Sequence, residues 1–200
     1  MELRAETVPP RFPCAKPFGC LHRTGPGRVE AVEARKGWCS VMKMSDFLVP
    51  RAVVSDLKAT NKKEVLEELC TALVSLHPTL DRDGMVGILL DRERLGSTGV
   101  GEGVAIPHGK MGDLGGLIAC FGRSAHGVAF EAVDDQPVSL FFLLFAPENS
   151  AGVHLKALAK ISRLLKRPSV REELLKAGSK ENVYAILTRE DGEELQVTGI

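Results

Sequence analysis

The sequence predicts an α/β domain in which a mixed β-sheet is covered by helices on both faces. Two observations carry this. Helical periodicity before residue 96 gives way to short β-type runs and returns after Pro147. Between them, residues 138–146 (VSLFFLLFA) are apolar on both faces of a strand, as a central strand covered from both sides must be. That run is about half the ~20 residues a membrane-spanning helix needs, so it reads as a buried strand.

The elements follow in order. From Asn61, the residues Val65, Leu66, Leu69, Cys70, Leu73 and Leu76 recur at three- and four-residue steps, with Lys62, Lys63, Glu67 and Glu68 opposite. Asn61 with Glu64 supplies an N-terminal cap and Pro78 a stop. A second helix is expected over 82–94, carrying Met85, Ile88, Leu89 and Leu95 inward and ending before Gly96. A glycine-rich loop over 96–103 comes next, then β-type runs at 104–106, 116–122 and 138–145. Three helices are expected after Pro147, at 152–166, 168–177 and 179–189, the second opening on a proline. There is no internal repeat.

Residues 1–43 are rich in Pro, Gly and Arg without helical or strand period, so they are expected to be a disordered extension ahead of a domain at 44–190, with 191–200 a frayed tail. Met44 opens the regular sequence, and on composition part of residues 1–43 is expected to stem from the choice of start site. Pro9, Pro10, Pro13 and Pro17 interrupt any secretory signal, which points to the cytoplasm. Cys14, Cys20, His22 and Cys39 lack the close C-x2-C pair of a structural zinc site, so no metal is expected. Five cysteines, an odd number, suit reduced thiols, with Cys70 and Cys120 in the core. Lys+Arg and Asp+Glu balance at 26 each, without the basic surplus that nucleic-acid binding needs.

The stretch that carries chemistry runs from Arg92 to Lys110 (RERLGSTGVGEGVAIPHGK). Its five glycines before Lys110 allow close approach and positive φ, and a phosphate is the obvious visitor. It is not a Walker A loop: Gly103 and Gly109 enclose five residues, and Met111 stands where a magnesium-binding hydroxyl must be. It is not a dinucleotide fingerprint either, since Val104 replaces the third glycine and a helix precedes the loop. Ser97 lies outside a G-x-S-x-G elbow, which excludes a serine hydrolase. His108 stands between Pro107, which fixes its backbone, and Gly109, expected to leave one side of the ring open. A neutral imidazole is a competent phosphoryl acceptor near pH 7. From the residues alone, Arg92 reads as a solvated side chain paired with Glu93 or Glu102. Ser97 and Thr98 either bind phosphate or cap a turn, while His22, His77 and His126 lack supporting neighbours.

The run STGVGEGVAIPHGK resembles the active-site signature of the type-2 IIA family of the bacterial phosphoenolpyruvate-dependent phosphotransferase system, which includes fructose, mannitol and nitrogen-regulatory members. The resemblance spans about residues 45–190. It implies that His108 accepts a phosphoryl group from phospho-HPr or an HPr-like carrier, as a tele-phosphohistidine, and passes it to a IIB domain or signals by its phosphorylation state. It also implies that His154 and Arg92 belong to the site, and that no cofactor takes part. Glu102 stands where many relatives have Asn. With no IIB or IIC segment following, the chain is read as a nitrogen-type regulatory protein. The alternatives are a sugar-specific IIA feeding a separate permease, and a non-catalytic interaction module of the same fold. The phosphorylated ring carries about two negative charges, which a guanidinium and a second imidazole near a helix N-terminus can meet with hydrogen bonds. Transfer between two histidines needs positioning and charge stabilisation rather than a metal.

Overall fold

The computed structural model describes residues 42–112 and 114–191. The expected extension at 1–43, apart from its last two residues, lies outside the described residues, as do Cys14, Cys20, His22, Cys39 and the tail beyond Asp191.

The architecture is the predicted mixed sheet between two helical layers. Strand β6 (Val138–Pro147) is its centre. Along one side it pairs antiparallel with β5 (Ile118–Val128), which in turn pairs parallel with the two-residue β1 (Val53–Val54). Along its other side run β3 (Val104–Ala105) and β4 (His108–Met111), both parallel to β6, and β2 (Gly99–Gly101) pairs antiparallel with β3. Alternation along β6 divides the core. Leu140, Phe142 and Leu144 face one layer, with Ile161, Leu164, Val170, Leu174 and Val183 from α3 (Ala151–Leu165), α4 (Pro168–Lys176) and α5 (Lys180–Thr188). Phe141, Leu143 and Phe145 face the other, against α1 (Lys62–Leu76) and α2 (Arg82–Arg94).

The expected N-cap of α1 is present: the Asn61 side chain accepts from the Glu64 N–H at 3.0 Å. Cys70 and Cys120 are buried free thiols, with burial pushing Cys70 up to about 12. No described helix is long and apolar enough to cross a membrane.

Three expectations change. Leu95 was expected inward and is 85% exposed. It lies about 120° round the helix from Leu89 at 100° per residue, and the chain turns away at Gly96, whose φ is +144°. Within the loop expected over 96–103, residues 99–101 form β2 against β3, and a strand not assigned from the sequence, β4, opens at His108 opposite Leu144. Asp191, expected as the start of the frayed tail, accepts the backbone N–H groups of Met44 at 2.6 Å and Ser45 at 2.8 Å and pairs with Lys160 at 3.2 Å. It closes the two ends of the domain on each other.

Candidate functional site

The site forms where β3 and β4 follow each other along β6. Pairing with β6 lapses after Ala105 and resumes at His108, across Ile106 and Pro107, the latter having no N–H to give to a ladder. The break turns the Ile106 carbonyl toward the His108 ring: Nδ1 lies 2.8 Å from that oxygen. Since a carbonyl only accepts, Nδ1 carries the proton and Nε2 keeps its lone pair.

That lone pair faces Arg92 in the last turn of α2, whose Nε lies 3.2 Å from Nε2. Arg92 Nη1 donates to the Gly96 carbonyl at 3.0 Å, so the guanidinium is anchored in the loop that follows its own helix. The expected pairing of Arg92 with Glu93 or Glu102 does not occur: Glu102 pairs with Arg171, and Glu93 turns inward. Burial draws the His108 imidazole below the ordinary histidine range; Arg92 adds to this, while the Ile106 carbonyl and the Glu93 carboxylate act the other way.

His154, in the first turn of α3, completes the group. Its ring meets that of His108 edge to face, centroids 5.5 Å apart. It is buried, and its Nε2 is without a hydrogen-bond partner among the described residues. Burial lowers its pKa as well, with help from His108 and Lys110, which favours the neutral form of both imidazoles. A buried polar atom with no partner is costly, and functional sites are where such atoms are retained.

Ser97 and Thr98 are engaged within the loop. The Ser97 hydroxyl donates to the Phe130 carbonyl at 3.1 Å and accepts from Gly99 N–H at 3.2 Å. Buried Thr98 gives its N–H, at 3.1 Å, and its hydroxyl to the Glu93 carboxylate. Gly109 has a different task from the one expected. A Cβ there would stand 2.6 Å from Ile88 Cγ2 and 2.9 Å from Phe145 Cε1, so glycine lets β4 fit between α2 and β6. Glu102, between Gly101 and Gly103, has φ +55°, a conformation that Asn adopts with less strain than Glu.

Sequence reasoning missed Glu93 and Lys62 as members of the site's support. Lys62, the first residue of α1, lies 3.3 Å from Glu93 and 2.8 Å from Glu131. A signal was present: a lysine opening a helix and a glutamate closing one both oppose the helix dipole.

The fold and this geometry define a class: a mixed α/β domain built around one half-buried imidazole whose free lone pair lies beneath a guanidinium. Residues 46–190 match the family described as phosphoenolpyruvate-dependent sugar phosphotransferase system, EIIA 2, and the chain belongs to that family. A nitrogen regulatory protein of Bradyrhizobium diazoefficiens is 40% identical over 146 residues, covering 73% of this chain and 95% of the relative. The fructose-specific EIIABC component of Bacillus subtilis is 35% identical over 150 residues, covering 75% of this chain and 24% of that longer protein. The crystal structure of the nitrogen regulatory protein IIA-Ntr from Neisseria meningitidis superposes with a TM-score of 0.68 at 38% identity, covering 72% of this chain and 97% of that one.

Proposed function

We propose that this chain is a phosphoryl carrier of the nitrogen-regulatory type, working in the cytoplasm, which accepts a phosphoryl group on Nε2 of His108 from phospho-HPr or an HPr-like protein. The observation that carries the reading is the division of labour on the His108 ring, with Nδ1–H held by the Ile106 carbonyl and the Nε2 lone pair open toward Arg92. In the transfer, that lone pair attacks the donor's phosphorus in line. The new N–P bond forms as the donor's N–P bond breaks, and the departing electron pair stays on the donor imidazole. No proton leaves Nδ1 during the step.

The product carries about two negative charges beside groups suited to them. Arg92 gives up the lone pair it contacted and turns Nε–H to a phosphoryl oxygen, and its Nη2, unpartnered among the described residues, reaches another. His154 donates from Nε2–H, gaining the partner it lacks in the unphosphorylated protein. Direct phosphate binding by Ser97 and Thr98 requires each hydroxyl to leave its present acceptor, so in the unphosphorylated state they shape the loop.

The nitrogen-type assignment rests on the 40% identity to a nitrogen regulatory protein whose length this chain nearly spans. A second reading, a fructose- or mannitol-type IIA feeding a separate IIB/IIC permease, is favoured by the 35% identity to part of a fructose-specific component. The test is incubation with phosphoenolpyruvate bearing labelled phosphate, enzyme I and HPr. Acid-labile, base-stable label on His108, absent from a folded His108→Ala, supports the carrier reading, and label on that variant places the acceptor elsewhere. Onward transfer to a purified sugar IIB domain decides for the second reading over the first.

A further inference from the structure

Glu93 is a buried charge to which the phosphoryl chemistry above gives no task. It is 8% exposed and lies in the last turn of α2, where a carboxylate faces the negative end of the helix. Lys62, which opens α1, is a cation at a positive helix end. Neither helix gains from its own charge, yet the two charged groups meet at 3.3 Å with little solvent around them.

What the pair holds is Thr98. Glu93 accepts the Thr98 N–H on both oxygens, at 3.1 and 3.3 Å, and the Thr98 hydroxyl besides. The Thr98 carbonyl accepts the Ile106 N–H at 3.0 Å. The Ile106 carbonyl, in turn, accepts the Nδ1 proton of His108 at 2.8 Å. A fixed path of hydrogen bonds therefore runs from a buried carboxylate to the one atom that sets the tautomer of the ring. In water a neutral histidine carries its proton mainly on Nε2, the wrong nitrogen for a nucleophile at that position, so the protein must enforce the other form.

We infer that Glu93, with Lys62 as its counter-ion, is a positioning residue for His108: through Thr98 and Ile106 it keeps the proton on Nδ1 and the lone pair on Nε2. The inference rests on the reading of His108 as the phosphoryl acceptor. Every group facing Glu93 in this network is a donor, namely the Thr98 N–H and hydroxyl and the Lys62 ammonium. A carboxylate suits such a site, whereas an amide brings its own N–H groups against them.

The test is Glu93→Gln, read by ¹⁵N chemical shifts of the His108 imidazole at a pH where the ring is neutral, together with single-turnover acceptance from phospho-HPr. In the wild type the proton should sit on Nδ1. In the variant a substantial Nε2–H population should appear and acceptance should slow about tenfold, as for the loss of one well-placed hydrogen bond. Wild-type shifts and rates in folded Glu93→Gln overturn the inference. Should that variant fail to fold, Thr98→Val and Thr98→Ser decide it. The first lacks the hydroxyl donor and should shift the tautomer, the second keeps it and should not, and identical wild-type behaviour in both overturns the role. A wild type that takes no label from phospho-HPr removes the carrier reading, while the ¹⁵N comparison still reports on Glu93.

Discussion

The imidazoles of His108 and His154 meet edge to face, with the buried Nε2 of His154 lacking any partner among the described residues. A buried polar atom left without a hydrogen-bond partner costs about 1–3 kcal/mol. Replacing His154 by the apolar, similarly sized Leu should therefore leave the melting temperature unchanged or raise it, while slowing phosphoryl acceptance ten- to a hundredfold or shortening the lifetime of the phospho form to match. Calorimetry beside single-turnover transfer checks the pair. A variant that melts lower yet transfers at the wild-type rate would make His154 a packing residue.

Arg92 should be hard to replace. Its Nε faces His108 while Nη1 is anchored on the Gly96 carbonyl, so its orientation depends on the forked guanidinium. Arg92→Ala should slow acceptance by one to two orders of magnitude, the effect of about 1.5–3 kcal/mol. Arg92→Lys should recover only part of that, since an ammonium keeps the charge and loses the fork. Full recovery by Lys would mean that charge alone is used.

The pH dependence follows from burial. On the proposed carrier reading the acceptor must be neutral, and His108 is held below the ordinary histidine value of 6.5, so acceptance should be flat above neutrality and decline only below that value. Because Arg92 contributes to the depression, Arg92→Ala should move the decline upward. The same shift enters stability. Between 6.5 and the lower folded pKa the unfolded chain binds a proton that the folded one does not, so stability falls as pH drops through that window and then levels. His108→Gln should remove its share of that slope in pH-dependent denaturant melts.

How much of this was legible in the sequence depended on whether the cause was local. The α1 cap and the two-faced apolar run of β6 are local patterns, and both formed as expected. His108 was visible because its chain neighbours Pro107 and Gly109 set it apart. The contact between Arg92 and His108 was not visible in spacing: sixteen residues separate them, and only the packing of α2 beside β4 brings them together. Glu93 and Lys62 meet through the tertiary arrangement of two helices, as did Asp191 with Met44. Strand β3 falls within the run expected at 104–106, whereas β1 and β2, two and three residues long, carry too little period to be read, and β4 was hidden because its pattern of exposure follows the site rather than an alternating face.

Gly109 gives a steric test of how closely β4 must lie to α2. In Gly109→Ala the new Cβ meets Ile88 Cγ2 at 2.6 Å and Phe145 Cε1 at 2.9 Å, distances that force a neighbour or the strand to shift. Overpacking of this kind costs about 1–3 kcal/mol. Any shift of β4 moves His108, the adjacent residue, relative to Arg92 on α2, so transfer should fall along with stability. The Ile88 contact is the closer one and belongs to a half-buried side chain, whereas Phe145 is fully buried in the core. Shortening Ile88 to Ala in the Gly109→Ala background should therefore restore part of both properties, and the double-mutant coupling should be favourable. Ile88→Ala alone should mildly destabilise and leave transfer near the wild-type rate. The measurements are urea denaturation and single-turnover acceptance on the wild type, both single variants and the double. Strictly additive losses in the double variant would show that the glycine is required for its backbone rather than for the space between α2 and β6.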